Sequence, residues 1–499
     1  GGGGNANYVE SNGGRAKKSL QIALGGKGGT AGTGGKVSVT QTSSQAMQTT
    51  GTGILAQSIG GGGGIASMAV AQAQAGDGYS LNLNLGGVRG SKDSSNNGHG
   101  GQVNVFVQGA GIQTSGNYAS GIIAQSIGGG GGVVDLSNKA INQSSRLERL
   151  QLGGTRAHGD GKTVNVQLGA GLVTQGKNSH GIVAQSIGGG GGILLADGLS
   201  LPVYMRVGGE AAKPHADTVT IKLDKNAFIS TSGDGSYGIL AQSIGGGGGM
   251  AADTSILNLR NVGKGMPDSV KGESSSKGGH VVVELDGHIA TSGRNAQGIF
   301  AQSLSQGGGL SNWGMGSQAP GSTGKAGEIK IKLGERSPAS IRATGAGSIG
   351  IVAQTMDASD KRVEISLKNN SLIEAETGVY MIGGDKNSNL SLDSSRIHAD
   401  TALLIKSSQD VNLTLKNGAR ITGKDKNNYI LVEDGNPSNN KKTRILLESG
   451  SEVSGSIHVN DKRKVTVDNY GGTVNLGPIW RLGTGGEFYN KATASIGGS

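Results

Sequence analysis

Five carboxylates within twenty residues, Asp357, Asp360, Glu364, Glu374 and Glu376, are the first place to look for chemistry. Two such groups facing each other across a groove can act as acid and base on a glycosidic bond. Charges alternating along the outer face of a strand give the same spacing, however, and a fold that hosts polysaccharide lyases or hydrolases does not confer their reaction. We read these acids as solvated surface charges and assign no catalytic residue. A basic pair of clusters is the second candidate: Lys441, Lys442 and Arg444 in "NNKKTR" (439–444), and Lys462, Arg463 and Lys464 in "DKRK" (461–464). Stacked on one another, they would form a patch for anions. Taken singly, each charge run reads as a solvated edge.

Other motifs fail on spacing. "GGTRAHGDGKT" (153–163) ends like a phosphate-cradling loop, but the glycine needed five residues before the Gly161-Lys162 pair is Arg156. The strand-like "VNVQL" follows where a helix N-terminus should hold the phosphate. The histidines, His99, His158, His180, His215, His280, His288, His398 and His458, form no H-E-x-x-H or other metal pattern. There is no G-x-S-x-G elbow for a nucleophilic serine. No metal and no cofactor is expected.

Composition explains why single sites are scarce. Glycine supplies 97 of 499 residues and aromatics only 3%, a poor recipe for one compact core, so repeats are the better organising idea. Glycine is clustered without a three-residue period and there are only seven prolines, which excludes collagen. Cysteine is absent, which suits a stacked array that needs no disulfide staples. The formal charge of +10 admits anionic polysaccharide, lipid headgroups or nucleic acid as partners, but we read it as a solvated basic surface with no specific partner. No apolar run approaches the roughly 18 residues of a membrane span. The opening "GGGG" reads as the tail of another repeat, so we expect the chain to be a piece of a longer one.

The repeat is explicit. "GILAQSIGGGGG" at Gly53 returns as "GIIAQSIGGGGG" at Gly121, "GIVAQSIGGGGG" at Gly181 and "GILAQSIGGGGG" at Gly238. Aligned on it, the chain reads as three short strands per unit, as in "TVNVQL" (163–168), "GLVTQG" (171–176) and "HGIVAQS" (180–186), with period-two alternation between turn residues. The second half keeps this grammar without the glycine runs. From Ile445 to Val465 the step is 20 residues, one coil of a β-helix. We therefore predict an all-β, right-handed parallel β-helix of about eleven rungs, with first strands near Val37, Val103, Val164, Val219, Val281, Ile329, Val363, Leu390, Val411, Ile445 and Val465. Residues 1–310 would be coils decorated by the glycine phrase and long Gly-rich loops leaving the column. Residues 311–499 would be plainer coils, since the phrase decays at "FAQSLSQGGG" (300–309) and is lost at "VAQTMD" (352–357). The glycine runs fall at equivalent positions, where stacked coils would bring them together, and we expect them to pack in order; the alternative is flexible exits to the loops.

The recurrent phrase and the closing "GGTVNLGPIWRLGTGGEFYNKATASIGG" from Gly471, with its "W-x-L-G" and "F-x-N" elements, resemble the passenger region of large bacterial autotransporters of type V secretion. The resemblance covers essentially the whole chain. It implies a β-helical stalk exported across the outer membrane by a C-terminal β-barrel, which this sequence does not hold, nor does it hold a serine-protease domain. On that footing the expectation is an extracellular, cell-surface adhesin without enzymatic activity, active in cell adhesion or biofilm. Its partners would be cell-surface or extracellular ligands, polysaccharide among them, or sister molecules, and not nucleic acid. The alternatives are a glycan-active β-helix enzyme and a phage tailspike-like receptor-binding protein.

Overall fold

The computed structural model describes residues 4–10, 18–24, 32–70, 79–85, 98–136, 146–152, 158–196, 204–207, 214–252, 276–305, 307–311, 314–315, 324–356, 362–383, 387–406, 410–423, 427–435, 440–491 and 495–498. Strands are the only regular elements among them, and all pairings but one are parallel. The chain is a parallel β-helix.

Alternation sets the first face. In Val103–Val107, Val164–Leu168, Val281–Leu285 and Ile329–Leu333 every second residue is buried, as period-two side chains require. Stacking is residue upon residue: Val103, Val164, Val219, Val281, Ile329 and Val363 form one unbroken apolar ladder. Branched aliphatic side chains suit this geometry, because identical shapes nest at each rung and each buried Val, Leu or Ile contributes about 1.5–3 kcal/mol. The face has twelve strands, from Val37–Gln41 to Glu487–Asn490. At about 4.8 Å per rung the column is on the order of 50 Å long.

Eleven of these twelve fall where the sequence puts them. The additional strand, Glu487–Asn490, lies in "EFYN", too short and too aromatic to show alternation by itself. It is fixed by pairing with Arg463–Asn469. Three predicted starts move earlier, to Ser388, Lys441 and Arg463, because in-register partners extend each ladder into polar residues.

Second and third strands join in one sheet of nineteen. In early coils a turn separates them, closed by a threonine hydroxyl that donates to the carbonyl five residues on: Thr231 to Ser236 and Thr291 to Ala296, both at 2.7 Å. In later coils the corner straightens. Leu372–Gly383 runs for 12 residues, pairing first with Ser340–Ala343 and then with Ile349–Met356.

The inserted segments do leave the column after each glycine run, and they are not merely loops. Gly4–Glu10, Gly63–Val70, Gly131–Leu136, Gly191–Ala196, Gly248–Ala252 and Gly308–Ser311 stack as a further parallel sheet. Lys18–Leu24, Tyr79–Leu85, Arg146–Leu152 and Tyr204–Val207 make another of four strands. The described strands of the insertions thus stack coil upon coil, with one register shift between Leu147 and Arg149.

Candidate functional site

The repeated phrase builds a continuous constellation of polar side chains through the decorated coils. Its strand has two faces. Ile122 and Ala124 point into the column with Ile182, Ala184, Ile239 and Ala241. Ile123, Val183, Leu240 and Phe300 point the other way and meet Val133, Ile193, Met250 and Leu310 of the glycine sheet in a second apolar layer. Both faces are consequently covered, and Ile122–Ile127 is buried at every residue.

Between these layers the glutamines form a spine. Gln57 Nε2 donates to Gln125 Oε1 at 2.6 Å, Gln125 to Gln185 at 2.7 Å, Gln185 to Gln242 at 2.6 Å, Gln242 to Gln302 at 2.8 Å and Gln302 to Gln354 at 2.6 Å. A buried amide must satisfy both donors and acceptors, and a stack of identical amides at the strand spacing does so along its length. The second N–H of Gln242 reaches Gly249 O, and that of Gln302 reaches Gly309 O, each at 3.4 Å. The spine thus ties the column to the glycine sheet.

Serine in the phrase seals another corner. Ser126 Oγ accepts the Lys162 N–H at 2.8 Å, Ser186 that of Asp217 at 2.9 Å, Ser243 that of Gly279 at 2.7 Å and Ser303 that of Gly327 at 2.7 Å. Each serine stitches the end of one coil to the turn entering the next. "AQS" is therefore a structural word: alanine leaves room in the column, glutamine links the layers and serine closes the corner.

The glycines following it are ordered. Gly131 and Gly132 both have φ of 136°, and neighbours in register share the conformation, as at Gly191 and Gly192 with 138° and 136°. Such angles are almost confined to glycine. A Cβ on Gly131 would overlap the carbonyl oxygen of Gly191, and one on Gly192 that of Gly132. The backbones also hydrogen-bond laterally, Gly131 N to Gly62 O at 3.2 Å and Gly191 N to Gly130 O at 3.1 Å.

The basic clusters meet as their spacing suggests, Lys441 beside Arg463 and Lys442 beside Lys464. They do not form an open six-charge patch. Arg463 is fully buried and donates through Nε to Glu433 Oε1 at 2.8 Å and through a terminal nitrogen to Thr443 Oγ1 at 3.1 Å, so it faces no ligand. Arg444 is held by Asp468 at 2.6 Å and Lys464 by Glu487 at 3.0 Å. Lys441, Lys442 and Lys462 remain as the members with no described carboxylate partner. Alternation could have flagged Arg463, since it is two residues before the inward Val465 on the same strand.

Of the five acids, Asp357 and Asp360 lie outside the described residues. Glu374 accepts Arg342 at 2.7 Å, Glu376 accepts the Gly347 N–H at 2.7 Å and Glu364 sits 3.6 Å from Arg362. Glu364 stands on a first strand, Val363–Leu367, whereas Glu374 and Glu376 stand two residues apart on the outer side of Leu372–Gly383, each with its own partner, so the structure does not gather the three at one point. The false phosphate loop is a coil entry: Lys162 N–H is taken by Ser126 and Asp160 N–H by His99 Nδ1 at 3.0 Å. Its Arg156 lies outside the described residues.

The histidines act chiefly as backbone acceptors between rungs. Nδ1 of His215 and of His280 each receives an N–H of the following coil at 3.1 Å. Among the described residues no group of three or more His, Cys, Asp or Glu side chains could hold a metal. His180 differs. It is buried at the edge of the second layer, 5.0 Å from the Tyr237 ring, with Nδ1 accepting the Tyr237 N–H at 3.0 Å. Its Nε2 and the Tyr237 hydroxyl have no hydrogen-bond partner among the described residues. Burial lowers the His180 pKa to about 4 and pushes that of Tyr237 up.

One open hollow was not anticipated. On the outer face of the second strands, Arg342, Leu372, Glu374, Arg396, His398, Arg420 and Thr422 line a concavity of about 420 Å³. An adjoining hollow of about 210 Å³ shares Leu372, Arg396 and Arg420. The arginines come from three separate coils, which is why no sequence cluster announced them.

Comparison with known proteins adds no relative: no family model, no curated protein and no solved structure matches the chain.

Proposed function

We propose that the chain is a non-enzymatic, extended surface scaffold, the stalk of an adhesin of the type V autotransporter kind, which presents its faces to cells, surfaces or sister molecules. The observation that carries this reading is continuity: twelve first strands stack in register, and a single glutamine spine runs through six successive coils. Polar side chains that would be spent on chemistry in an enzyme are spent here on joining rung to rung. Stability in such an array is close to a sum of nearest-neighbour contacts, so length can grow without a new core. Reach, rather than turnover, is what this architecture supplies.

In this reading the decorated coils present the inserted sheets and the plain coils act as a spacer. The test is display of the whole chain on a bacterial surface, with and without the insertions between residues 60 and 279, followed by measurement of binding to host cells and to abiotic surfaces. Adhesion that depends on the insertions, with bound glycans left intact, is expected. Turnover of a bound polysaccharide would replace the scaffold with an enzyme.

A further inference from the structure

The outer face of the second strands carries charges that the stacking does not require. In register along it stand Phe228, His288, Ser340, Leu372, Arg396 and Arg420. Arg396 and Arg420 are exposed neighbours about one rung, or roughly 4.8 Å, apart. Like charges side by side on a sheet are destabilising. On the first-strand face Lys222 and Lys332 are balanced by the intervening Glu284 at 3.0 and 3.6 Å. Along the second strands the balance is incomplete. Arg342 takes Glu374 at 2.7 Å and Arg420 has Glu452 at 3.6 Å on its far side, whereas Arg396 has no carboxylate partner among the described residues. The three arginines of the hollow are thus met by two carboxylates, Glu374 in the hollow and Glu452 at its edge, which leaves an excess of one positive charge centred on Arg396.

We propose that this hollow binds an acidic polysaccharide, a pyranose chain carrying carboxylate or sulfate groups. Three features of the site select that class. Guanidinium groups present planar pairs of donors that match the oxygens of carboxylate and sulfate, and they are less strongly hydrated than lysine. His398 engages the Thr422 hydroxyl through Nδ1 at 3.1 Å, which leaves Nε2 as the ring nitrogen facing a ligand's hydroxyl groups. Rungs repeat at a spacing comparable to one sugar of an extended chain, so successive acid groups can meet successive arginines. Along the same face Leu372 supplies an apolar floor, and Phe228, 44% exposed, stands four rungs from Arg396, about 20 Å away, where its ring can carry a sugar face. The proposal deepens the scaffold reading and rests on it for its setting, by placing one glycan contact on the plain coils and not on the insertions.

The test is titration of the full chain with polygalacturonate, heparin, neutral dextran and single-stranded DNA over a range of salt. The variants are Arg396→Ala with Arg420→Ala, Phe228→Ala, and a control, Lys441→Ala with Lys442→Ala, that removes the same charge elsewhere. Binding of polygalacturonate or heparin, but not dextran, should weaken on the order of tenfold for each hollow arginine removed and less than about threefold in the control. The polymer bound more tightly identifies carboxylate or sulfate as the group recognised. Because the arginines repel, their removal should leave the melting temperature unchanged or raised, so lost binding cannot be lost folding. Equal losses in hollow and control variants, or DNA binding as tight as either glycan, would overturn the site. If neither glycan binds while insertion-dependent adhesion persists, the site fails and the scaffold stands; if the hollow binds and the glycan is cleaved, the scaffold fails and the site stands.

Discussion

The two halves of the molecule solve one problem differently: how to close a coil of twenty-odd residues around a core only a few side chains wide. The decorated half adds a second layer. Its third strands are buried on both faces, with Ile123, Val183, Leu240 and Phe300 covered by strands that emerge from the glycine runs. The plain half straightens its corners into long strands such as Arg396–Lys406 and anchors its lower end with the buried Arg463–Glu433 pair. Cooperativity is thus carried by repeated weak links in one half and by fewer, stronger ones in the other. A repeat protein can change its sequence grammar midway without interrupting the column, because only the inward ladders must persist.

That contrast can be broken most severely at a glycine of the ordered runs. Gly192→Ala puts a Cβ onto the carbonyl oxygen of Gly132 at a φ of 136°. Neither strand can retreat, since both backbones are paired in the ladder, and we expect a loss beyond about 4 kcal/mol in the protection of the decorated coils. Gly450→Ala in the plain half also has positive φ, 76°, but its nearest obstacle is 3.8 Å away, and it should cost only about 1 kcal/mol. Hydrogen exchange read peptide by peptide separates the two; equal effects would mean that the runs are spacers.

The plain half has its own weak point. Glu433→Ala leaves the Arg463 guanidinium buried without this carboxylate, and a broken buried pair costs about 3–5 kcal/mol. Exchange should accelerate in 440–491 and leave 158–196 unaltered. A loss spread evenly over both halves would mean that the column melts as one unit.

How much of this was legible follows the same division. Val, Ile and Leu at alternate positions located eleven of twelve first strands, because an inward ladder needs only residue type and period. The phrase "AQSI" marked the third strand, and its recurrence pointed to ordered glycine packing. The reason for the words lay beyond pattern. Gln125 meets Gln185 and Ser126 meets Lys162 only once 60 and 36 residues of chain have been wound around the column. The same winding moved Arg463 from a candidate surface patch to the interior, and gathered Arg342, Arg396 and Arg420 from positions that share no sequence signal.

A gentler way to sharpen the comparison is acid, because the decorated half alone contains a histidine enclosed by the second layer. Ser120, His180, Tyr237 and Gln297 occupy equivalent positions immediately before the glycine that opens the repeated strand, so His180 is one member of a stacked buried column. Folded, its pKa is about 4; unfolded, it returns to about 6.5. Between these values the unfolded chain binds a proton that the folded chain refuses, so stability falls as pH drops from about 6.5 and levels off near 4. The interval corresponds to roughly 3 kcal/mol at its acid end. His180→Gln, which places there the residue found at 297, should abolish this component of the pH slope. In the plain half the described histidines, such as His398 and His458, are only partly buried or exposed. Exchange measured at pH 7 and pH 4.5 on both variants decides the matter: acid should loosen 158–252 in the wild type and spare it in the variant, and identical acid responses would place the proton uptake elsewhere.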